Sequence, residues 1–461
     1  MTKIFSTFKI NPKAKLVTGI FLFFSLIGTS QDLSLKQAYD LMLEQNGDLN
    51  ASEYHVQAVD EERKAMKGLY FPTVGVSGSY LYLDKDITVD LNASRDMVGG
   101  LMNIPNPEAV LGDWNFGLLD RNFGFASANV NWTIFAGGKI NAANEAAHLK
   151  LDLSENQHQL KKDELTLKLI NFYFKLNLAK EAENLRAEIY KTVELHNIQA
   201  NKLFNNGMIA EVETLNAKVS LSNAKRELLG AQKDVSLAIT AIQNLIGGSV
   251  FNTISTKFME PVILAPLTDF QQDMLHKNKQ LKLIDDNFKL AEAGVKIEKS
   301  EYYPKIAAFG KHSLWKDNLS FAKTNWMVGI GAEWTVFNGF QRAHKMKASK
   351  YKVSQVQEIE KQARLNLSTY TEKIYNELKK QQEQYESLNA DQLLAEKLKY
   401  MRTRAFEEGT GTSIEVIDAT LKLTEIKLHK IEALYHYNVA FGELMVQLGE
   451  TESFLNKNTS N

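Results

Sequence analysis

The sequence predicts a mainly α-helical protein with a membrane β-barrel part, built from a duplicated helix-strand-strand-helix-helix unit. The duplication is visible in a Trp-Thr-x-Phe-x-Gly stretch that begins at Trp132 and recurs at Trp334, 202 residues later. Each stretch is followed by a long run without glycine or proline, over residues 139–206 and 340–408. Because the same order of features recurs at a fixed distance, we infer that one structural unit has been duplicated.

The two long runs are predicted to be helices. In the first run, Leu153, Leu160, Leu167 and Phe174 recur every seven residues, with mostly Lys, Glu, Asn and Gln between the apolar positions. This period is typical of helices that pack in a coiled coil. At 1.5 Å per residue, a helix over residues 139–206 would be about 100 Å long. Such a helix is too polar to cross a membrane lengthwise, so it needs neighbouring helices for support.

Shorter segments complete the chain. The predicted organisation is a signal peptide at 1–30, a first repeat at 31–246, a linker at 247–266, a second repeat at 267–448 and a polar tail at 449–461. Within the repeats, the predicted elements other than the long helices are helices at 35–68 and 210–246 with a β-hairpin at 70–137, and helices at 267–300 and 413–448 with a β-hairpin at 302–338.

The two predicted hairpins differ in length. Matching positions are 232 residues apart before the hairpins and 202 apart after them, so the first hairpin holds 30 additional residues. The stretch 83–122 contains prolines, glycines and mixed charge, as surface loops do. We therefore expect the additional residues to form an outward loop. Deleting Ala93–Asp113 is expected to leave assembly intact.

The first 30 residues have the features of an export signal. Four lysines precede an apolar run at 16–27, and the small residues Gly28-Thr29-Ser30 follow. This order is typical of a secretory signal peptide. A membrane anchor is disfavoured, because a spanning helix needs about 20 apolar residues.

Composition excludes several kinds of protein. The chain has no cysteine, so disulfides and thiolate metal sites are absent. The first 30 residues hold four of the 54 basic side chains and no acid, which leaves residues 31–461 with 50 basic and 55 acidic side chains, a net charge of −5. A chain of this charge is not expected to bind nucleic acid. The nine histidines show no metal-ligand spacing, and no helix that could bind phosphate follows Gly329-x-Gly331. We expect no enzyme activity, no cofactor and no metal.

Alternating side chains predict the strands. In the first copy, Val74, Val76, Tyr80 and Tyr82 alternate with small or polar residues, and Trp326 to Val336 alternate in the same way in the second copy. A period of two with one apolar face indicates a strand. Small and polar residues on the other face suit a water-filled lumen. The alternative, a soluble β-sandwich with long helices, would carry bulky residues on both faces.

Four predicted strands are too few for a closed barrel, which needs about eight or more. Since open edges are not tolerated in lipid, we expect the chain to form a homotrimer with 12 strands and to contact outer-membrane lipid. Aromatic residues at the strand ends next to the helices form the predicted girdle, namely Tyr70, Phe71, Trp132, Phe135, Tyr302, Tyr303, Trp334 and Phe337. This position places all helices on one side of the membrane.

With these features, the chain resembles the TolC family of outer-membrane efflux channels. The resemblance covers residues 33–448 and rests on the duplicated plan, the two Trp-Thr-x-Phe-x-Gly stretches, the Phe71-Pro72 and Tyr303-Pro304 pairs, and the turns ending at Gly207 and Gly409. It implies a trimeric 12-stranded barrel on a long α-helical coiled-coil tunnel in the periplasm of a Gram-negative bacterium. It also implies a periplasmic adaptor and an inner-membrane pump of RND or ABC type. The implied function is a passive duct for efflux or type I secretion, and the alternative is a structural or adhesive stalk.

The resemblance also assigns site residues. The helix-tip turns would form the aperture and the adaptor-docking surface, with the residues Asn206, Gly207, Met208, Glu213, Glu408, Gly409, Thr410 and Gly411. Glu415 and Asp418, six and nine residues after Gly409, occupy the positions of pore-constricting acids. The alternative is that they are solvated acids of a helix start, a role that we assign to Glu213. Gly411 stands where a family member has an arginine that ties the gate shut.

Overall fold

A computed structural model of the chain describes residues 32–317, 324–408 and 410–457. The predicted signal peptide lies outside these ranges, as do Gly409 and the last four residues. The described part forms eleven α-helices, one short 3-10 turn and six β-strands.

The first copy contains, in chain order, α1 (Leu35–Gln45), α2 (Gly47–Lys67), the 3-10 turn (Gly68–Tyr70), β1 (Thr73–Tyr82), β2 (Ile87–Asp90), α3 (Asn92–Leu101), α4 (Pro107–Leu111), β3 (Asn115–Leu119), β4 (Asn122–Ala136), α5 (Lys139–Asn205) and α6 (Glu211–Leu245). The second copy contains α7 (Leu267–Lys277), α8 (Lys279–Ser300), β5 (Lys305–Asp317), β6 (Trp326–Glu333), α9 (Gln341–Glu407) and α10 (Ser413–Gln447), and α11 (Thr451–Lys457) follows it. Helices α5 and α9 have 67 residues each, and α6 and α10 have 35 each. The two copies therefore share one plan.

An asparagine divides each helix that precedes a hairpin, which corrects the prediction of single helices at 35–68 and 267–300. Asn46 (φ −70°, ψ 120°) and Asn278 (φ −69°, ψ 125°) have extended backbones. Each side-chain oxygen accepts a hydrogen bond from an amide of the next helix, at 3.1 Å and 2.9 Å respectively. Asparagine favours this N-cap position because it satisfies a helix-terminal amide. The two residues are 232 apart, so the break belongs to the duplicated unit.

The four longest strands form one antiparallel sheet in the order β1-β4-β5-β6. The pairing of β1 with β4 runs from Thr73 against Asn131 to Tyr82 against Asn122. Strands β1 and β6 lie at the edges, and each has one side without a partner strand in the described chain. The sheet is therefore open in a single chain, with backbone hydrogen-bonding groups along both edges.

The last strand of the second copy is shorter than predicted. The alternating pattern predicted a strand through Trp334 and Val336, but β6 ends at Glu333, which pairs with Lys305. Lys305 is the first residue of β5, so the described chain offers no strand beside the residues after Glu333. The guanidinium of Arg342 donates instead to the Val336 carbonyl, at 2.7 Å.

The additional residues of the first hairpin form a folded lobe, where the sequence predicted a loop. Strands β2 and β3 pair as a separate ribbon, and α3 and α4 close its tip. Arg95 is buried, and its guanidinium donates to the Gly112 carbonyl at 3.2 Å. The Asn92 side chain accepts a hydrogen bond from Trp114 N at 2.9 Å. We call residues 83–122 the distal lobe, because they lie at the end of the sheet away from the long helices.

The main hydrophobic core surrounds the middle of the long helices. Helices α1 and α7, the linker between the copies and the ends of α6 and α10 contribute to it. Tyr173 of α5 is fully buried; its hydroxyl donates to Leu33 O at 2.7 Å and accepts from Thr256 N at 3.0 Å. Phe174 stacks on Phe258 of the linker, with ring centroids 5.6 Å apart. The linker is thereby fastened to α5.

Helix α11 corrects the prediction of a polar tail at 449–461. Phe454 and Leu455 are fully buried, and the Phe454 ring centroid lies 6.0 Å from that of Phe441. Gly442 provides space for this contact, since a Cβ there would come within 3.1 Å of the Phe454 ring. The start of the tail is therefore part of the core.

The ends of the long helices away from the sheet have little core. Two small clusters of buried residues lie there, formed by Ile189, Val193 and Ala224 and by Ala395, Leu423 and Ile426. Segments with few buried apolar contacts open locally at lower cost than the main core. The helix tips are therefore the part of the long helices best suited to movement.

Candidate functional site

The two faces of the four-stranded sheet differ in polarity. One face carries large apolar side chains that are exposed in the single chain, including Val74, Val76, Tyr80, Val130, Trp132, Val328 and Ile330. The opposite face carries mostly small or polar side chains, including Gly75, Ser77, Ser79, Ser127, Asn129, Asn131, Lys311 and Gly329. An apolar face and a polar face that alternate along each strand are the pattern of a membrane barrel wall.

The Gly329-x-Gly331 pair accommodates an aromatic ring on the polar face. Phe309 of β5 pairs with Gly329 of β6. A Cβ on Gly329 would come within 2.8 Å of the Phe309 ring, and one on Gly331 within 3.7 Å. The glycines therefore allow close packing between neighbouring strands.

The predicted aromatic residues lie at the end of the sheet next to the helices. The indole nitrogen of Trp132 donates to the Tyr70 carbonyl at 3.0 Å, and that of Trp334 donates to the Tyr302 carbonyl at 3.2 Å. The bond recurs although the paired residues are 62 apart in the first copy and 32 apart in the second. Each tryptophan thus fixes the junction between a hairpin and its preceding helix.

A second aromatic band, which the sequence analysis missed, lies at the far end of the apolar face. Its members are Tyr80, Tyr82, Trp315 and Trp326. Gly124 provides space for Trp315, since a Cβ there would come within 2.5 Å of its ring. Along β4, Gly124 and Trp132 are separated by about 27 Å. This separation is comparable to the apolar band of about 25 Å in outer-membrane barrels.

The first helix tip, between α5 and α6, is a tight turn closed by main-chain hydrogen bonds. Gly207 N donates to Phe204 O at 2.8 Å, and Met208 N donates to Leu203 O at 2.9 Å. Gly207 has φ +71°, a conformation that glycine adopts without strain. Asn206 is the C-cap of α5. Met208 is 69% exposed, so the turn presents an apolar side chain at its end.

The second helix tip joins α9 to α10. Glu408 is the C-cap of α9, and Gly409 lies outside the described residues. The amides of Thr410 and Gly411 both donate to Ala405 O, at 2.9 Å and 3.0 Å. A Cβ on Gly411 would come within 3.2 Å of the Ala405 Cβ. A long side chain at this position would therefore crowd α9.

Glu415 uses both carboxylate oxygens within its own helix pair. Thr412 and Glu415 form a capping box at the start of α10, in which Thr412 N donates to Glu415 Oε2 at 3.0 Å. Arg402 of α9 donates to Glu415 Oε1 at 3.0 Å. The hydrogen bond from the Thr412 amide, followed by the charge of Arg402, lowers the pKa of Glu415. These contacts are those of a helix-start acid.

Asp418, one turn further along α10, is in a different situation. It is exposed and forms no hydrogen bond or ion pair with any residue that the structure describes. It lines a groove of about 560 Å³ between α5 and α10, together with Arg186, Lys422 and Glu425. Of the two acids assigned to the pore, Asp418 is therefore the one with a carboxylate available to a solute or a neighbouring chain.

Glu213 is the first-copy counterpart of Glu415, but its contacts differ. It lies in the first turn of α6, which begins after Ala210 without a side-chain cap. Glu213 N donates to the Ala210 carbonyl at 3.1 Å. An acid in this position interacts favourably with the helix dipole. Of the two helix tips, it is therefore the second that has a capping box.

Side-chain contacts connect the two helix pairs near their tips. The His196 ring of α5 is buried and lies edge-to-face against Phe406 of α9, with ring centroids 5.6 Å apart. Lys399 of α9 lies 3.9 Å from Glu188 of α5. Burial, followed by the charge of Lys399, lowers the pKa of His196. Its Nδ1 has no hydrogen-bond partner among the described residues. The contact therefore favours the neutral ring.

We expect this tip contact to weaken in mild acid. Because the pKa of His196 is below its ordinary value of 6.5 in the closed contact, the opened contact binds a proton more readily. The contact therefore loses stability as pH falls below about 6.5. The loss is complete once the pH is below the lowered pKa of His196. Hydrogen exchange, expressed as protection factors, should show this loss around His196 and Phe406 between about pH 7.5 and about pH 5.5. The pH dependence should disappear in His196→Phe; protection that is constant with pH in the unaltered chain would contradict the prediction.

Among residues 32–317, 324–408 and 410–457, no group of three or more His, Cys, Asp or Glu is placed to hold a metal ion. In the same ranges, no helix is both long and apolar enough to span a bilayer. A groove of about 550 Å³ between α5, α6 and α10 is lined mainly by apolar residues such as Phe172 and Leu237.

Comparison with known proteins identifies the family. The outer membrane efflux protein family matches the sequence over residues 38–248 and 271–450. The chain belongs to the outer membrane efflux protein family. The two matched ranges correspond to the two copies and leave out the linker between them. The resemblance inferred from the repeated motifs is thereby confirmed.

Solved structures of outer-membrane channels share the fold. VceC of Vibrio cholerae has a TM-score of 0.71 at 13% identity, over 90% of this chain and 96% of that chain. CmeC of Campylobacter jejuni has a TM-score of 0.71 at 14% identity, over 92% and 89% of the two chains. The channel OprN has a TM-score of 0.72 at 16% identity, over 90% of each chain. These matches confirm the predicted fold class. No curated protein matches the sequence.

Membership of the outer membrane efflux protein family places this chain in the outer membrane of a Gram-negative bacterium. The four-stranded sheet is the membrane part, and the long helices are in the periplasm, as predicted. The distal lobe then lies on the outer side, because it is at the opposite end of the sheet from the helices.

Proposed function

We propose that three copies of the chain form a passive duct of a tripartite efflux or type I secretion system. The observation that carries the proposal is the open sheet, with an exposed apolar face, a polar face and two unpaired edges. Pairing β1 of one copy with β6 of the next gives 12 strands and removes the edges. Closure is needed because unsatisfied backbone groups are not tolerated in lipid.

In the proposed duct, the long helices form a tunnel beneath the barrel. Helices α5 and α9, with 67 residues each, extend about 100 Å from the sheet. Apolar side chains are exposed along α6 and α9 in the single chain, including Val212, Leu215, Val219, Leu393, Leu394 and Leu398. Exposed apolar stripes of this kind mark contact surfaces. In the homotrimer they would be covered by neighbouring copies.

The tips are the proposed docking surface for the periplasmic adaptor, which connects the duct to an inner-membrane pump of RND or ABC type. Both tips lie at the ends of the helices away from the sheet. The first presents the exposed Met208 beside Gly207, and the second presents Glu408 and Thr410. Substrates would pass from the pump through the tunnel to the exterior without chemistry.

Current through a planar bilayer tests the proposal. The purified chain should give a stable, water-filled conductance with discrete single-channel steps. The variant Trp132→Ala serves as a comparison. It removes the hydrogen bond from the Trp132 indole to the Tyr70 carbonyl, so it should reduce insertion into the bilayer without changing the unit conductance. Assembled protein that inserts but never conducts would favour the structural or adhesive stalk instead.

The distal lobe is proposed to be dispensable for assembly. Leu91 N donates to Trp114 O at 2.9 Å, so these residues already close the ribbon below α3 and α4. Replacing Ala93–Asp113 with one glycine would join them by Asn92-Gly, a two-residue turn that hairpins favour. Crosslinking should then show as much trimer as the full-length chain does. Loss of the trimer would show that the lobe is part of the barrel mouth.

A further inference from the structure

The polar face of the sheet contains a positively charged cavity near its distal end. The cavity has a volume of about 280 Å³ and lies between β4, β5 and β6. Its lining includes Phe125 and Ser127 of β4 and Lys311, Ser313 and Lys316 of β5. The register places these five side chains on the face opposite the apolar one. In the proposed duct they face the lumen.

Lys311 supplies charge that no carboxylate neutralises within the described chain. Its ammonium lies 5.5 Å from the centroid of the Phe125 ring. It forms no hydrogen bond or ion pair with a described residue. A cation–π contact orients the ammonium but leaves its charge intact. The neighbouring Lys316 ammonium donates to the Thr324 carbonyl, which adds a second cation to the cavity.

Acidic side chains of the sheet lie elsewhere. Among the described residues of the four strands, the acid on the polar face is Glu333, at the end next to the helices, where it pairs with Lys305. Asp317 pairs with Gly124, which belongs to the apolar face. The distal half of the polar face therefore carries positive charge alone in the described strands.

The backbone around the cavity is irregular in a way that adds donors to it. The pairing of β4 with β5 shifts between Ala126 and Ser127, so Leu314 has no partner residue in β4. Ser127 is buried, and its hydroxyl lies 3.4 Å from the Ser77 hydroxyl. Bulges often reorient side chains beside functional sites. Here the bulge brings Ser313 and Lys316 to the same cavity.

We propose that this cavity is a binding site for multivalent oxyanions, with Lys311 as the principal charge and Ser313 as a hydroxyl donor. The inference rests on the proposed function, which turns the polar face into a duct wall and places three such sites at one level. Rings of like charge in a pore attract counter-ions. The duct would then have acids at its periplasmic tips and lysines in its barrel, so anionic groups of a cargo would be bound within the barrel.

Side-resolved block of single channels by tripolyphosphate tests this inference. Tripolyphosphate added on the barrel side should block the current, and Lys311→Gln should weaken that block by about tenfold or more, because it removes a charge-assisted hydrogen bond at each site. Lys311→Arg should retain the block. Lys305→Gln, on the same face beside Glu333, should change it by less than about twofold, because Lys305 lies about 20 Å along β5 from Lys311, which is beyond the screening length in salt.

The outcomes separate the inference from the function it rests on. Equal block in the unaltered channel and in Lys311→Gln, with unchanged unit conductance, would overturn the oxyanion site and leave the duct standing. The same holds for block that is equal from both sides. Absence of any conductance in the unaltered chain would overturn the duct and the site together. A block that Lys311→Gln removes and Lys311→Arg restores supports the site.

Discussion

Trivalent cations added at the tip side of the reconstituted duct should block its current, and Asp418→Ala should weaken that block by about tenfold or more. Asp418 is exposed and has no partner in the described chain. In a homotrimer, three copies near the axis would form a ring of carboxylates, which favours cations and repels anions. We therefore also expect the conductance to be cation-selective.

Two single variants serve as controls for this block. Glu415→Ala should have a smaller effect than Asp418→Ala, because the Glu415 carboxylate is already held by Thr412 and Arg402. Glu213→Ala, in the first-copy counterpart, should leave the block unchanged. Equal block in the unaltered channel and in a Glu415→Ala/Asp418→Ala double variant would show that both acids are only solvated residues at the start of α10.

Phe174→Ala should destabilise the chain by about 3–5 kcal/mol, the usual cost of truncating a buried phenylalanine. Phe174 is fully buried in the main core, stacked on Phe258 and edge-to-face with Tyr173 at 5.9 Å. Truncation leaves a cavity where the linker is fastened to α5. The midpoint of chemical unfolding in detergent, followed by the helical circular dichroism signal, measures the effect.

Phe204→Ala provides the matched comparison on the same helix. Phe204 lies near the tip of α5 and is 40% exposed, so its truncation removes less buried surface. We expect a loss of about 1 kcal/mol or less for a side chain outside a packed core. Equal shifts for the two variants would contradict the conclusion that the stability of the helical part resides at the level of the linker.

The duplicated plan was visible in the sequence because two signals survive divergence between the copies. Glycine and proline are excluded from 139–206 and 340–408 since either would break a long helix. Trp132 and Trp334 recur because each donates to a carbonyl at the junction before its hairpin. Both constraints are local, so they can be detected without knowing the partners of each residue.

The errors arise where structure depends on a partner or a cap. Asn46 and Asn278 break helices in which the apolar pattern continues on both sides, so periodicity alone does not mark them. Strand β6 ends where its partner β5 begins, which the alternation around Trp334 does not reveal. Phe454 is buried only because α11 reaches the core. The 232-residue offset between the two asparagines was an available signal for the helix breaks.

At the candidate site, too, the local features were predictable from the sequence and the contacts between elements were not. The turn at Gly207 was predicted, because the positive φ that such a turn needs is open to glycine itself. The contacts of Glu415 with Arg402 and of His196 with Phe406 join different helices, and a seven-residue period does not specify which side chains meet. Lys311 likewise belongs to a cavity that three strands build together.

Native mass measurement in detergent tests the homotrimer most directly. Four strands with two open edges predict a mass of three chains, with full helical content and resistance to dissociation on dilution. Chemical crosslinking should likewise reach a maximum at three chains. A monodisperse monomer with the same secondary structure would contradict the account, because a single open sheet would then be stable without closure.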